Sequence, residues 1–120
     1  MDKVNIAEEL AGFAEHFQPR VVGALNGQHV KLVKLQGEFL WHHHESEDEL
    51  FLVIKGNMTI QLRDRDITLR EGEFFIVPHG VEHKPSAEAE THVLLFEPAS
   101  TLNTGNVENE RTYRPENRSE

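Results

Sequence analysis

Three adjacent histidines followed by acidic residues are the part of this sequence best suited to chemistry. If the segment from Trp41 to His44 is an extended strand, His42 and His44 project from one face and His43 from the other, because side chains alternate along a strand. Two imidazoles on one face can bind a single metal ion. Glu49 follows across a short acidic turn, so in a hairpin it would lie on the neighbouring strand and add a carboxylate oxygen. This spacing predicts a metal site.

A fourth ligand is expected from a distant strand that packs opposite the hairpin. His83 follows the turn Pro78-His79-Gly80, which would fix its position at the mouth of a β-barrel. The chain has no Cys, which excludes thiolate ligands, disulfides and a Cys nucleophile. The alternative is that adjacent histidines are only surface residues or a purification tag. Apolar residues on both sides of this internal cluster argue against a tag.

The elements that would position these residues are short strands separated by turns. Asn26-Gly27 is a strong hairpin signal, and residues 58–62 alternate apolar and polar side chains as a half-buried strand does. Turn signals recur about every 8–12 residues, which favours an all-β sandwich or barrel. The predicted strands are 21–25, 29–36, 39–44, 49–54, 58–62, 67–69, 74–77, 81–83 and 91–96.

Residues 5–17 predict one short N-terminal α-helix. Asn5 and Glu8 form a capping-box pattern, and Pro19 prevents the helix from continuing. An apolar stripe follows at helical spacing, formed by Ile6, Leu10, Phe13 and Phe17. The chain therefore divides into an N-terminal helix (1–19), a β-barrel (20–97) and a polar C-terminal arm (98–120). The arm is either a frayed surface tail or a segment that packs on the barrel or on a second subunit.

Length and charge exclude several classes of protein. The chain has 120 residues, which suits a single domain. It carries 12 Lys and Arg against 21 Asp and Glu, a net charge of −9, so nucleic acid and anionic membrane surfaces are not expected partners. We find no targeting segment and no apolar run near the roughly 20 residues that span a bilayer. The default expectation is a soluble cytoplasmic protein.

Two motifs, in order, resemble those of the cupin superfamily, in particular the small single-domain type-2 cupins grouped with mannose-6-phosphate isomerase. They are His42-x-His44-(x4)-Glu49-(x6)-Gly56 and Gly72-(x5)-Pro78-x-Gly80-(x2)-His83. The resemblance covers about residues 20–97. It departs from the family pattern in the spacing from Gly37 to His42, and in Ala87, which stands where the second motif often has Asn.

The resemblance implies a single-domain double-stranded β-helix, the jelly-roll barrel of cupins, usually dimeric. It implies one divalent transition metal, such as Zn, Mn, Fe or Ni, held by His42, His44, Glu49 and His83. Imidazole and carboxylate suit all of these metals and do not choose among them. Four protein ligands on an ion that prefers six leave positions open for water or substrate. A homodimer is also expected, because a small barrel with an exposed sheet edge commonly covers that edge by pairing.

The expected ligand is a small oxygen-rich molecule such as a sugar or keto-acid. The metal would support isomerase or lyase chemistry as a Lewis acid, or dioxygenation if it is iron. Phe51 shares a face with Glu49 and is the best candidate for a pocket wall, and His79 lies in the turn at the expected barrel mouth. No general base is identified beyond the ligands. The alternative function is a non-catalytic, metal-supported binding module for a small ligand.

Overall fold

The computed structural model describes residues 2–114, so the end of the predicted arm, residues 115–120, lies outside the described residues. Within that range the chain forms one helix and seven strands, and the all-β prediction is confirmed. No helix in it is long and apolar enough to span a bilayer. The elements are α1 (Ile6–Ala11), β1 (Arg20–Leu25), β2 (Gln28–Glu38), β3 (Glu49–Lys55), β4 (Asn57–Leu62), β5 (Asp66–Arg70), β6 (Phe74–Val77) and β7 (His83–Pro98).

Strand β7 holds the barrel together because it pairs with three other strands. Its first residues pair antiparallel with β4, in the register Leu62↔His83. Its second half lies between β2 and β3, with Val93 opposite Val33 on one side and Val53 on the other. The remaining strands extend this core, giving the path β1-β2-β7-β3-β6 with β5 attached through β4. The sheet therefore rolls up into the predicted jelly-roll barrel.

Alternate residues of these strands fill the barrel. On β3 the inward positions are at most 4% exposed, as are Val93, Leu95 and Glu97 on β7, and on β4 Met58 and Ile60 are at most 1% exposed. Period-2 alternation places every second side chain inside. Burying each large apolar side chain stabilises the fold by about 1.5–3 kcal/mol. The barrel interior is therefore a main source of the free energy of folding.

The helix is shorter than the predicted 5–17. It ends at Ala11, where Gly12 caps it, although Asn5 accepts a hydrogen bond from the Glu8 backbone as the capping box predicts. Leu10 and Phe13 pack against Leu32 on the outside of the sheet, whereas Phe17 joins the core inside the barrel. These side chains meet two different surfaces, so the stripe does not lie on one helix. Tertiary packing outweighs the helical periodicity here.

Two strand predictions are also corrected. Residues 39–44 form no regular strand and make an isolated bridge between His42 and His83. The predicted strands 81–83 and 91–96 are parts of the single strand β7. Pro85 and the polar residues after it indicate a break, but Pro85 lies within the ladder with β4, opposite Ile60. There its carbonyl accepts a hydrogen bond from the Phe39 backbone.

The described part of the C-terminal arm packs on its own barrel and is not a frayed tail. Thr101 and Thr104 are buried. Asn106 pairs with the backbone of His43, its side-chain oxygen accepting from the His43 N–H at 2.8 Å and its own N–H donating to the His43 carbonyl at 2.9 Å. A Cβ at Gly105 would lie 2.2 Å from that carbonyl oxygen, so only glycine allows this approach. The arm thus supports the histidine segment from outside.

Candidate metal centre

Four side chains meet inside the barrel: His42, His44, Glu49 and His83. One nitrogen or oxygen atom from each lies within 4.8 Å of the others, and all four residues are buried. Glu49 Oε1 lies 3.2 Å from His44 Nε2 and 3.3 Å from His83 Nε2. The structure thus brings together all four residues that the motifs single out, and this group could hold a metal ion.

Three backbone elements position the four side chains. His42 and His83 exchange both of their backbone hydrogen bonds, at 3.0 and 2.9 Å, which ties the 39–44 segment to the start of β7. The His44 carbonyl accepts from the Gly80 N–H at 2.7 Å, so the predicted rim turn holds the second imidazole in place. Glu49 is the first residue of β3 and pairs with Val77 of β6. The donors are therefore fixed by main-chain contacts.

The imidazoles of His42 and His83 are oriented by their own chain. In each ring Nδ1–H donates to the backbone carbonyl two residues earlier, Leu40 or Val81, at 2.9 Å. This fixes the tautomer in which Nε2 carries the free lone pair. In His83 that Nε2 atom faces Glu49. A backbone partner on the outer nitrogen is the usual support of a metal-binding histidine.

Several polar atoms of this group are buried without any hydrogen-bond partner. They are both ring nitrogens of His44, Oε1 of Glu49 and Nε2 of His83. Glu49 Oε1 is the atom of this group that lies closest to both the His44 and the His83 ring. Each unsatisfied buried polar atom costs about 1–3 kcal/mol. A cation would satisfy them together, and three imidazoles with one carboxylate form a donor set that fits a divalent transition metal.

The protonation states also suit a cation. Burial, together with the neighbouring His83, lowers the pKa of His42 from 6.5 to about 4. Burial by itself would raise the pKa of Glu49, but the imidazoles of His44 and His83 outweigh it and hold that pKa well below its usual range. His42 is therefore neutral and Glu49 ionised near neutral pH, the forms that bind metals.

Beside the four side chains lies a small cavity of about 40 Å³. Phe51 lines it, and the ring of Phe51 is 6.1 Å from that of His83, so the predicted pocket wall adjoins the centre. His79 is not part of the lining. Its side chain is 62% exposed, and its backbone N–H and Nδ1 both bond Asp48 Oδ1 at 2.8 Å. His43 faces away from the centre and contacts Glu45.

The sequence interpretation missed a buried ion pair at this cavity. Glu97 lines the cavity, and its Oε2 lies 2.8 Å from Lys31 Nζ, with both side chains at most 3% exposed. Burial and the nearby charge of Glu49 raise the pKa of Glu97 well above its usual range, which Lys31 opposes. The carboxyl group of Glu97 is also within hydrogen-bonding reach of the Glu49 carboxylate, and in its protonated form it can donate to Glu49. Strand alternation was the available signal, since Glu97 continues the inward series of Val93 and Leu95.

The segment before β1 and the described part of the C-terminal arm line the cavity on one side. Phe17 lines the cavity and stacks on Phe39, with ring centroids 4.8 Å apart and planes 10° apart. The Arg111 guanidinium lies 5.1 Å from the Phe17 ring centre and 4.7 Å from that of Phe39. Asn103 Nδ2 donates to the Phe17 carbonyl at 3.3 Å. Phe17 adopts φ 60°, a left-handed conformation that costs a bulky residue about 1–2 kcal/mol. The segment before β1 and the C-terminal arm thus meet over the centre.

The sequence and the fold of the chain are similar to those of known proteins. A family model described as the cupin domain matches residues 29–97. Protein YdbB of Bacillus subtilis is 31% identical over 77 residues, 63% of this chain and 68% of YdbB. The 3-hydroxyanthranilate 3,4-dioxygenase of Xenopus tropicalis is 30% identical over 101 residues; the match covers 78% of this chain but only 36% of that enzyme. A crystal structure of a cupin-2 domain containing protein from Shewanella frigidimarina has 43% identity and a TM-score of 0.78, covering 79% of this chain and 93% of that one.

The lowered pKa of His42 predicts that the metal-free protein loses stability in mild acid. Unfolded His42 takes up a proton near 6.5, whereas folded His42 stays neutral down to about 4. The unfolded state therefore binds more protons between these values, and the free energy of unfolding falls by about 3 kcal/mol as the pH drops from 6.5 to 4. Urea unfolding across this range measures the loss. His42→Gln should remove it, whereas the exposed control His79→Gln should keep it; equal pH slopes in both variants would contradict the assignment.

Proposed function

The chain belongs to the cupin domain family, and on that premise we propose that it is a metal-dependent enzyme acting on a small oxygen-rich molecule. One divalent transition metal binds His42, His44, Glu49 and His83, and the molecule reacts in the adjoining cavity. The observation that carries the proposal is the set of buried donor atoms that have no hydrogen-bond partner. An apolar barrel interior leaves such atoms unsatisfied only at a cost, and a bound cation removes that cost.

Different residues of the chain would orient the metal ligands, exclude water from the cavity and offer it a hydrogen-bonding group. A bound divalent metal supplies Lewis acidity and, in the case of iron, reactivity toward dioxygen. Leu40 and Val81 orient two of the imidazoles through their carbonyls. Phe51 and the aromatic pair Phe17–Phe39 exclude water from the cavity. The carboxyl group of Glu97, which lines the cavity, offers it a hydrogen-bonding group.

Dioxygenation is the reaction we favour. The Xenopus tropicalis relative, matched over most of this chain, is a dioxygenase by name, although the match spans about a third of that enzyme. Isomerase or lyase chemistry on a sugar or keto-acid, which the mannose-6-phosphate isomerase-like resemblance implies, stays a prediction. A non-catalytic binding module is the second candidate, and the cavity lining favours it, since apart from His42 and Glu49 its ionisable residue is Glu97, which is paired with Lys31.

The ligand assignment predicts about one equivalent of divalent metal per chain after purification without chelator. His44→Ala and Glu49→Ala should each lose most of it, because each removes a donor from the group. His43→Ala is the matched control, since His43 is adjacent in sequence but faces away and should leave the metal content unchanged. Elemental analysis of the three variants measures this. Retention of metal by both ligand variants would contradict the assignment.

Dioxygenase chemistry predicts oxygen uptake that depends on the metal. Protein reconstituted with Fe(II) should consume oxygen when phenolic acids or keto-acids are added, whereas protein loaded with Zn(II) should not. An oxygen electrode measures uptake, and chromatography of the same mixtures detects isomerised or cleaved products. Turnover with Zn(II) or Mn(II) and no oxygen uptake would instead support Lewis-acid chemistry. Full metal loading without turnover of any compound would support the binding module.

The cytoplasmic location stays a prediction. We propose in addition that two copies of the chain pair through strand β6. The apolar stripe of the N-terminal helix and the C-terminal arm were the sequence candidates for the pairing surface, but α1 and the described part of the arm both pack on their own barrel. Within the described residues β6 pairs only with β3, and it exposes 59% of Phe74 and 48% of Ile76. Two identical exposed edges can pair about a twofold axis.

Light scattering at micromolar concentration should therefore give a dimer. The double substitution Phe74→Lys with Ile76→Lys should give a monomer, because it places charge on the paired edge. Thr68→Lys, on the exposed surface of β5, is the control and should remain dimeric. A monomeric wild-type protein would disprove the pairing.

A further inference from the structure

The segment that carries His42 and His44 is bound by hydrogen bonds on two edges. On one edge His42 exchanges both of its backbone hydrogen bonds with His83, the first residue of β7. The N–H and C=O groups of His43 bond on the other edge, as the alternation of hydrogen-bonding residues along such a bridge predicts. Their partner there is Asn106 of the C-terminal arm, through its side-chain oxygen at 2.8 Å and its backbone N–H at 2.9 Å. Asn106 therefore takes the place of a second neighbouring strand.

The ring of His44 depends on this backbone support more than the other two imidazoles do. In His42 and His83 the Nδ1 atom bonds a backbone carbonyl two residues earlier, which orients the ring. Neither ring nitrogen of His44 has a hydrogen-bond partner. The position of the His44 ring is therefore set by its packing and by its backbone. That backbone is held by Asn106 at the preceding residue and by the turn after β6 at its own carbonyl.

The arm also reaches a residue of the centre directly, at Gly105. A Cβ atom on Gly105 would lie 2.2 Å from the carbonyl oxygen of His43 and 3.0 Å from Cδ2 of the His42 ring. The backbone of Gly105 has φ 57°, in the left-handed region that glycine adopts without strain. The arm backbone thus lies against the His42 imidazole and leaves no room for a side chain between them.

Turns within the arm keep Gly105 and its neighbours in place. The Gly105 N–H donates to the Leu102 carbonyl at 2.9 Å, and the Val107 N–H donates to the Thr104 carbonyl at 3.0 Å. Thr104 is completely buried. Because these contacts already order the arm, it loses little further conformational freedom when it bonds His43. The arm is therefore a firm support for the histidine segment.

We propose that Gly105 and Asn106 are positioning residues of the metal centre, which hold His42 and His44 at the separation that the ion needs. The proposal rests on the proposed function, since it takes these histidines as ligands. Both arm residues lie outside residues 29–97, the part of the chain that matches the cupin domain. Residues that orient metal ligands commonly contribute about 10–100-fold to metal affinity. Loss of the arm contacts should therefore speed the release of the metal.

The rate at which the full chain releases Co(II) tests this proposal. Each protein is loaded with Co(II), its visible absorption spectrum is recorded, and the loss of that absorption is followed after mixing with excess EDTA. Asn106→Ala should release the metal roughly tenfold faster than the wild type, because the His43 N–H loses its acceptor. Asn106→Asp keeps an oxygen in the same place and should stay within about twofold of the wild type. Gly105→Ala should release the metal at least roughly tenfold faster and also change the spectrum, because the added Cβ displaces the His42 ring.

Two controls separate positioning of the ligands from general stability. Asn109→Ala makes the same substitution in the arm at a side chain that accepts from the Arg111 backbone, and it should leave the rate unchanged. Leu10→Ala removes a buried side chain that packs on the outside of the sheet. It should lower the free energy of unfolding of the metal-free protein without speeding the release of Co(II).

A wild-type rate in the folded Asn106→Ala variant would overturn the proposal. Equal acceleration by Leu10→Ala would also overturn it, because release would then follow stability alone. If Gly105→Ala does not fold, the comparison of Asn106→Ala with Asn106→Asp decides by itself. A wild-type protein that takes up no Co(II) refutes the proposed function, whereas full uptake with equal rates in all variants refutes this inference alone.

Discussion

The burial of three imidazoles and a carboxylate in an apolar barrel, without protein partners for several of their polar atoms, is the constraint on which the rest of the structure depends. Such a group is stable only if its donors are held where one ion can reach them all, and only if the surroundings keep water and protons away. The backbone bridge between His42 and His83, the turn at Gly80 and the start of β3 meet the first condition. The aromatic interior, with Phe17 stacked on Phe39, meets the second.

The barrel was predictable because its signals are local. Alternation along β3 and β4 and the turn glycines marked most strands within a few residues of their observed ends. The predictions that failed are those in which a distant surface decides the outcome. The spacing of Leu10 and Phe17 predicts one helical stripe, but in the fold the two side chains pack on separate hydrophobic clusters. Pro85 indicates a break in the strand when the sequence is taken alone. In the fold its carbonyl accepts a hydrogen bond from the Phe39 N–H, and its lack of an N–H does not prevent it from lying in the ladder with β4.

The four centre residues were predictable because their motifs fix both residue type and spacing. The buried pair of Lys31 and Glu97 was not found, since each residue lies alone among apolar neighbours and an isolated charge usually faces solvent. Only the parity of their positions, inward on β2 and β7, indicates burial. The closure over the cavity was less visible still. Phe17 and Arg111 are 94 positions apart, and no pattern in either segment indicates that they meet.

Strand β7 carries both His83 near its start and Glu97 near its end, and both point inward. A slip of one residue in its pairing would turn these side chains toward solvent and bring outward residues such as Lys84 and His92 into the core. A slipped register is unfavourable in any apolar strand, and it is more unfavourable in a strand with two buried polar residues. The slipped barrel would bury Lys84 without a carboxylate to pair with it. The buried polar side chains of β7 therefore also favour one register, since only in that register does this long strand close the barrel with His83 and Glu97 inside.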